Sequence, residues 1–181
     1  MARRARVGAI GVGLAIVAVV VVLGIVLDMQ PSSVAFAGNL RKGGTLEELR
    51  LPELHGDGVV EYADYADRPV VINFFASWCP NCIAEMPEFE RVHAILGDRV
   101  AFLGVSQSDA RSASIDLANE TGITYETAID EQGAFFRAFG GLGMPTTVFI
   151  RPGGEIAEVW VGALNAQALR GLIADHLGIV A

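Results

Sequence analysis

Residues 70–82 read VVINFFASWCPNC, an apolar run that ends in two cysteines. The run Val70–Ser77 has the length and composition of a buried central strand. Pro80 suits the first turn of a helix, because the N–H that proline lacks would have no partner there. The pattern therefore predicts a strand that leads directly into a helix, with Cys79 at the junction and Cys82 one turn further along.

Strand and helix patterns alternate on both sides of this segment. The apolar residues of 80–96 recur on one face of a helix, which Gly97 closes. The order of the elements predicts an α/β layered fold with a mixed sheet. The other predicted strands are 49–54, 59–61, 100–105, 125–129, 146–150 and 155–161, and the other predicted helices are 110–120, 133–139 and 165–177.

The spacing of Cys79 and Cys82 suits reversible exchange between two thiols and a disulfide. Two intervening residues place both sulfurs on one side of the first helical turn, close enough to bond. Unpaired backbone N–H groups and the helix dipole stabilise an anion at this point, so we expect a lowered pKa for the Cys79 thiol. Exchange then runs through a mixed disulfide, which the second thiol resolves.

Three other roles compete for the two cysteines. A zinc site would need two more ligands, and His55, His93 and His176 are widely separated in the sequence. A purely structural disulfide that closes so small a loop gains little from chain entropy. Two inert buried thiols are the third alternative. The position of the pair at a predicted strand-to-helix junction favours exchange chemistry.

A proline at the start of a predicted strand is the second notable feature. Met144-Pro145-Thr146 follows the glycine-rich turn 140–143. Because proline cannot donate to a sheet, a proline in this position often marks a tight bend, sometimes with a cis peptide bond. An ordinary turn proline is the alternative. The glycines lack the spacing and the lysine of a phosphate-binding loop.

Residues 7–27, VGAIGVGLAIVAVVVVLGIVL, are uncharged and almost wholly apolar. A helix of this length measures about 31 Å, which matches a bilayer core of roughly 30 Å. Three arginines precede the run and no basic residue follows it until Arg41, so the N-terminus is expected in the cytoplasm and the rest outside. A signal peptide cleaved near Ala37, at the A-x-A-like site Ala35-Phe36-Ala37, is the alternative.

The chain is therefore expected to have three parts. Residues 1–28 are the cytoplasmic start and the transmembrane signal anchor, residues 29–45 a linker, and residues 46–181 a globular domain with one core. The chain has 13 basic and 21 acidic residues, and removal of residues 1–28 takes away three arginines and one aspartate. The remaining 10 basic and 20 acidic residues give a formal charge of −10, which argues against nucleic-acid binding.

These features resemble the membrane-anchored TlpA/ResA/CcmG (DsbE) group of thiol-disulfide oxidoreductases in the thioredoxin superfamily. The likeness covers about residues 46–178. It rests on the order of elements, the N-terminal anchor and the motifs 71–82, 85–87 (EMP), 143–147 (GMPTT) and 151–155 (RPGGE). It implies a thioredoxin-like fold with a mixed central sheet flanked by helices, an N-terminal β-hairpin and a central helix–strand insertion at 110–129.

The resemblance also assigns roles to single residues. Cys79 would be the attacking thiol and Cys82 the resolving thiol, so no metal and no cofactor beyond this redox-active pair is expected. Pro145 would be a cis-proline facing them, and the backbone of Met144 would pair with an extended substrate segment. Glu85 matches the acidic residue that lies near the thiols and tunes their titration, with a solvated helix carboxylate as the alternative.

Three further positions are expected to tune the redox chemistry. Trp78 matches the aromatic residue that shields the site, although packing in the core would also account for it. Pro80 and Asn81, between the cysteines, differ from the Gly-Pro of thioredoxin and from the Glu-Pro or Pro-Pro of relatives, and this dipeptide influences the redox potential. Thioredoxin has a buried aspartate where this chain has Asn73, which argues against a proton relay through that position.

The resulting hypothesis is an extracytoplasmic thiol-disulfide oxidoreductase, held at the cell membrane by a single span, that reduces protein disulfides. The resemblance implies apocytochrome c as a substrate, in cytochrome c maturation, and a CcdA/DsbD-type membrane protein as the electron donor. An oxidant that forms disulfides in secreted proteins is one alternative. A thiol peroxidase of the same fold is another, although the chain lacks a Thr-x-x-Cys setting at Cys79. A metal or haem chaperone is the non-enzymatic alternative.

Overall fold

The computed structural model describes residues 34–180. The strands are β1 (Ala35–Gly38), β2 (Leu46–Pro52), β3 (Val59–Glu61), β4 (Val70–Phe75), β5 (Ala101–Gln107), β6 (Glu126–Asp130), β7 (Thr146–Ile150) and β8 (Ile156–Val161). The helices are α1 (Pro80–Leu96), α2 (Arg111–Thr121), α3 (Ala134–Ala138) and α4 (Ala166–Leu177). Every helix and strand predicted between residues 49 and 177 is present, although several begin or end a few residues from the predicted position.

The strand that precedes the cysteines, β4, lies at the centre of a five-stranded sheet with the order β6-β5-β4-β7-β8. It pairs in parallel with β5 and antiparallel with β7. All six of its residues are buried, which accounts for a sequence that is apolar except at Asn73, since a strand covered on both faces has no solvent-facing side. The predicted α/β architecture with a mixed sheet is confirmed.

Different elements cover the two faces of the central sheet. On one face, Val71 packs with Phe89 of α1 and Ile173 of α4. On the other face, the Phe74 ring contacts two phenylalanine rings of α3 and the ring of Phe139, which directly follows α3. Its centroid lies 5.6 Å from that of Phe135. The N-terminal strands complete this second layer, and the core therefore lies on both sides of β4.

A separate antiparallel sheet contains β1, β2 and β3 in that order. The predicted hairpin is confirmed as β2 and β3. Residues 35–38, which the sequence places in a linker, form β1 instead, and Ala35 pairs with Arg50. The ring of Phe36 lies 5.5 Å from that of Phe135. Four residues are too few to show the alternation of apolar and polar side chains that is typical of a strand. The strand forms because it pairs with β2, which lies further along the sequence, so no local pattern predicts it.

The predicted anchor, residues 1–28, lies outside the described residues. Across residues 34–180, no helix has both the length and the apolar character that crossing a bilayer requires. The A-x-A-like segment Ala35-Phe36-Ala37 lies within β1.

Candidate active site

The two cysteines lie where the central strand passes into α1, and they form a disulfide. Cys79 is the N-cap residue of α1 and has an extended backbone. Its sulfur accepts a hydrogen bond from the backbone N–H of Cys82, with 3.2 Å between nitrogen and sulfur. This N–H is one of the donors that a helix leaves unpaired at its first turn, so it favours negative charge on the Cys79 sulfur.

The two cysteines differ in their access to solvent. Cys79 is 5 % exposed, whereas Cys82 is fully buried. Pro80 and Asn81, which separate them, are exposed on the first turn of α1. Of the two sulfur-bearing residues, only Cys79 therefore offers a surface to an incoming disulfide.

Trp78 lies on the outside of the site and not in the core. Its side chain is 55 % exposed. The indole Nε1–H donates to the carbonyl oxygen of Ser108 at 3.1 Å, which ties the ring to the loop after β5. Core packing therefore does not account for Trp78, and its position next to Cys79 places an aromatic surface at the rim of the site.

Asp109, which no motif marks, holds the segment before the cysteines in place. Its carboxylate accepts hydrogen bonds from the backbone N–H of Ser77 at 2.6 Å and from the Ser77 hydroxyl at 3.0 Å. It also accepts from the N–H of Ala110 at 2.8 Å. The contact joins residues 32 positions apart, so it could be found only from the folded chain.

The Met144–Pro145 peptide bond is cis, and the segment around it lies against the cysteines. Met144 packs on the buried cluster that contains Cys79 and Cys82. The segment is held on both sides, because the Thr146 hydroxyl donates to the Gly143 carbonyl at 2.7 Å and another backbone N–H donates to the Pro145 carbonyl at 2.9 Å. The structure thus brings the second sequence motif to the disulfide.

Glu85 lies on α1 three residues after Cys82, on the same side of the helix, and is 2 % exposed. Its Oε1 accepts from Asn73 Nδ2 at 2.7 Å and its Oε2 from the backbone N–H of Leu164 at 3.0 Å. Burial raises the pKa of Glu85 to about 7, against the lowering effect of these two hydrogen bonds. The solvated-carboxylate alternative is wrong, and a group that titrates near neutral pH lies beside the buried cysteine.

The polar side chain in contact with Glu85 is Asn73, and Tyr125 lies near enough for the charge of Glu85 to affect its pKa. Asn73 is buried on β4, and its neutral amide does not titrate at physiological pH. Burial raises the pKa of Tyr125 well above its usual range, and the charges of Glu85 and Glu90 raise it further. Tyr125 therefore stays neutral at physiological pH, which leaves Glu85 as the titrating member of this group.

The three histidines have partners other than the cysteines. His55 Nδ1 lies 3.2 Å from the Thr127 hydroxyl oxygen, and the other two histidines each lie beside a glutamate. Between residues 34 and 180, no three His, Cys, Asp or Glu side chains form a group that could hold a metal ion.

Comparison with known proteins identifies the family. Residues 43–159 match the model of the AhpC/TSA family. The chain belongs to the AhpC/TSA family. Relatives of this AhpC/TSA protein include the thiol-disulfide oxidoreductase ResA of Oceanobacillus iheyensis, which is 29 % identical over 166 residues that cover 90 % of this chain and 84 % of the relative. The thiol:disulfide interchange protein DsbE of Pseudomonas fluorescens biotype C is 29 % identical over 129 residues, or 71 % of each chain.

A solved structure supports the same assignment for the fold. The crystal structure of a DsbF homologue from Corynebacterium diphtheriae matches this AhpC/TSA protein with a TM-score of 0.65 and 30 % sequence identity, over 71 % of this chain and 83 % of that chain. The thioredoxin-like fold and the resemblance to the ResA/DsbE group are confirmed. The predicted enzyme class, thiol-disulfide oxidoreductase, is confirmed with them.

Proposed function

We propose that this AhpC/TSA protein reduces disulfides in other proteins by exchange with its own Cys79–Cys82 pair. The position of Cys79 carries the proposal: it caps α1, its sulfur accepts the Cys82 N–H, and it is the more exposed cysteine. Together these properties favour a thiolate that an external disulfide can reach. Cys79 and Cys82 are the catalytic residues in this proposal.

The proposed cycle starts from the reduced pair. The Cys79 thiolate attacks one sulfur of the substrate disulfide, so that a bond forms to Cys79 and the substrate bond breaks. The electron pair leaves on the other substrate sulfur, which takes up a proton. Deprotonated Cys82 then attacks the Cys79 sulfur and expels the second substrate sulfur, which also takes up a proton. The substrate gains two electrons and two protons, and the pair becomes a disulfide.

Glu85 accepts the proton of Cys82 in this proposal. Cys82 is fully buried, so solvent does not reach its thiol, whereas Glu85 is buried three residues further along the same helix. A base with a pKa of about 7 is matched to proton transfer near neutral pH.

Three neighbouring residues adjust the potential of the pair in the proposal. Trp78 covers the outer rim, where its hydrogen bond to Ser108 fixes the ring. Pro80 and Asn81 lie within the short loop that the disulfide closes, so they affect the relative stability of the oxidised and reduced forms.

Met144 and Pro145 form the substrate-binding edge in the proposal. The contact of Met144 with the cysteine cluster supports this role, because a chain segment laid along Met144 would also meet Cys79. An extended substrate segment would pair with the Met144 backbone and present its disulfide to Cys79.

We place the reaction at the outer surface of the cell membrane, with residues 7–27 as a single span and the N-terminus in the cytoplasm. The proposed substrates are protein disulfides, among them the haem-attachment cysteines of apocytochrome c, and a CcdA/DsbD-type membrane protein returns the pair to its reduced form. The apolar run and the resemblance to the ResA/DsbE group support this setting. No metal or further cofactor takes part.

Trapping of mixed disulfides tests the proposed function. In membranes that contain the full chain as Cys82→Ser, the step that releases the substrate is removed, so substrates should accumulate as adducts on Cys79 that a reductant releases. Cys79→Ser is the matched control and should trap none. If Cys82→Ser captures no protein and the wild-type chain shows no reductase activity, the proposal is wrong.

The reduction potential of the pair distinguishes a reductase from an oxidant. A value near about −270 mV or lower, measured by equilibration with glutathione, is expected for a reductase, whereas about −120 mV would indicate an oxidant. Rapid peroxide turnover by the purified chain would instead favour the thiol peroxidase alternative.

A further inference from the structure

Two buried serines lie behind the active site, and the proposed mechanism uses neither. Ser106 on β5 and Ser114 on α2 are both fully buried, and their hydroxyl oxygens lie 2.6 Å apart. Burying a hydroxyl group costs free energy unless it is hydrogen-bonded, whereas two apolar side chains of the same shape can replace such a pair at little cost. Stability alone therefore does not account for the two serines.

The second serine, Ser114, also contacts two acceptors just before α2. Its Oγ lies 3.3 Å from Oδ2 of Asp109 and 3.1 Å from the carbonyl oxygen of Ala110. A carboxylate and a carbonyl only accept, so the hydroxyl proton of Ser114 points towards them. Ser106 is then the donor in the serine pair. The hydrogen bonds thus form a chain that runs from Ser106 through Ser114 to Asp109.

Asp109 connects this chain to the segment that precedes the cysteines. Its Oδ2 accepts from the backbone N–H of Ser77 at 2.6 Å as well as from the hydroxyl of Ser114. Its Oδ1 accepts from the Ser77 hydroxyl and from the N–H of Ala110. Each carboxylate oxygen thus has two donors, which together fix the rotation of the carboxylate. Without Ser114, Oδ2 would keep a single donor, and the carboxylate would be free to turn.

The other end of the chain is fixed in the central sheet. Ser106 lies on β5, which pairs with β4 on one side and with β6 on the other. Its partner on β4 is Phe75, the last residue of that strand and two residues before Ser77. Side chains on a rigid element hold a site more precisely than side chains on a loop. The sheet therefore supplies a fixed point from which Ser114 and Asp109 position Ser77.

We propose that Ser114 is a positioning residue for Cys79 and acts through Asp109. It keeps the Asp109 carboxylate on the backbone of Ser77 and so fixes the segment that leads into α1. In that position the Cys79 sulfur accepts the N–H of Cys82, which stabilises a thiolate. The helix α2, which lies in the predicted central insertion, thereby supports the attacking thiol. The proposal rests on the proposed role of Cys79 as that thiol.

A titration of Cys79 tests the proposal in the reduced full chain, held in non-ionic micelles as Cys82→Ser. In this background Ser114→Ala should raise the pKa of the Cys79 thiol by about half a unit, because the N–H of residue 82 is held less well against the sulfur. The reaction with a small aromatic disulfide should slow about twofold at pH values below the midpoint. The thiolate fraction falls, and the higher nucleophilicity of a more basic thiolate offsets this only in part.

Ser112→Ala is the matched control for this variant. Ser112 lies on the same helix and is exposed, so its change has the same effect on helix propensity but leaves the donor to Asp109 in place. It should leave the midpoint and the rate unchanged. In the Asp109→Ala chain, a further Ser114→Ala should not shift the Cys79 midpoint again, because Ser114 acts through Asp109.

A double variant separates positioning from an effect on stability alone. Ser114→Ala should lower the free energy of unfolding, because the buried Ser106 hydroxyl loses the partner that it has here. Ser106→Ala combined with Ser114→Ala replaces both hydroxyl groups by apolar ones and should regain most of that stability. The Cys79 midpoint should nevertheless stay at the Ser114→Ala value, since Asp109 still lacks its donor.

A Cys79 midpoint that is unchanged in the double variant, or a second shift when Ser114→Ala is added to Asp109→Ala, would overturn the proposal. The double variant decides the matter if Ser114→Ala alone does not fold. The parent Cys82→Ser chain tests the proposed function separately. A Cys79 midpoint at the ordinary thiol value in that chain would reject the attacking role of Cys79 and the positioning with it. A low midpoint that Ser114 does not influence would reject the positioning alone.

Discussion

Burial of a single carboxyl group gives the site a side chain that titrates near neutral pH. Glu85 is enclosed by α1, β4 and the segment before α4, and its two hydrogen bonds come from neutral donors. Desolvation therefore outweighs hydrogen bonding, and its pKa rises from 4.5 to about 7. The sequence marks Glu85 only through its resemblance to a group, because spacing on a helix does not report what covers it.

Glu85→Gln should remove a pH dependence of the free energy of unfolding. The folded state holds the Glu85 proton more tightly than the unfolded state, so its stabilising contribution is complete below about pH 4.5 and is lost as the pH rises through about 7. At about 1.4 kcal/mol per pH unit, the wild-type chain should lose about 3 kcal/mol more than Glu85→Gln between pH 4 and pH 8. Denaturant unfolding at several pH values measures this difference.

Glu88→Gln is the control for this prediction. Glu88 lies on the same helix, is half-buried and also accepts a backbone N–H, from Ala166. Since Glu85 is retained in that variant, the pH dependence should remain that of the wild-type chain. An identical pH dependence in Glu85→Gln and wild type would show that folding does not raise the pKa of Glu85.

Among the elements, the loop after β5 fixes the segment that leads into α1. Asp109 accepts two hydrogen bonds from Ser77, and Trp78 donates to Ser108. The loop thus holds both residues that immediately precede Cys79. We therefore expect Cys79 to keep its capping position when the pair is reduced.

Asp109→Ala should destabilise the protein and slow thiol exchange. Hydrogen bonds to a charged group contribute about 1.5–3 kcal/mol, so we expect a loss of about 2 kcal/mol in the free energy of unfolding. The reduced pair should also react several-fold more slowly with a small aromatic disulfide. Asp116→Ala, at an exposed position on α2, is the control and should change neither quantity. Unchanged stability and rate in Asp109→Ala would show that the Asp109 hydrogen bonds do not fix the segment before Cys79.

Phe36→Ala tests whether β1 belongs to the fold. The Phe36 ring is half-buried against Phe135, so its loss should cost about 2 kcal/mol in the free energy of unfolding and should lower amide protection along β2. Leu142→Ala, which truncates a side chain that is 84 % exposed, should have no effect. A Phe36→Ala protein as stable as wild type would mean that residues 35–38 act as the linker that the sequence suggests.

The sequence predicts those elements whose signal is local. The apolar run of β4, the periodic face of α1 and the glycine after it predict the strand-to-helix junction, because each depends on residues close together in the chain. β1 and the Asp109 contacts lack such a signal, since each depends on a partner far along the sequence. Pro145 is an intermediate case. Its position alone predicts a bend, the resemblance implies that it faces the cysteines, and the folded chain shows Met144 packed on the cysteine cluster.

For the molecule as a whole, charge influences which substrates meet the site. The residues after position 28 carry a formal charge of −10, since they include 20 acidic and 10 basic side chains. An excess of one sign accelerates encounters with molecules of the other sign, and salt weakens the effect. We therefore expect the net charge to favour disulfides in basic segments.

Peptide disulfides of opposite charge test this expectation. The reduced full chain in non-ionic micelles should reduce a lysine-flanked peptide disulfide about tenfold faster than a glutamate-flanked one at low ionic strength. The ratio should fall towards one as salt is added. A ratio that does not depend on salt would show that contacts with the peptide, and not the charge of the protein, select the substrate.

The most direct test of the proposed exchange chemistry is a titration of the Cys79 thiol in the reduced Cys82→Ser chain, followed by thiolate absorbance. The substitution keeps the backbone N–H at position 82 that donates to the Cys79 sulfur. We expect a midpoint at least about one unit below the ordinary thiol value of about 8.5, and alkylation of Cys79 before Cys82 in the reduced wild-type chain. A midpoint at or above about 8.5, or alkylation of Cys82 first, would contradict the assignment of Cys79 as the attacking thiol.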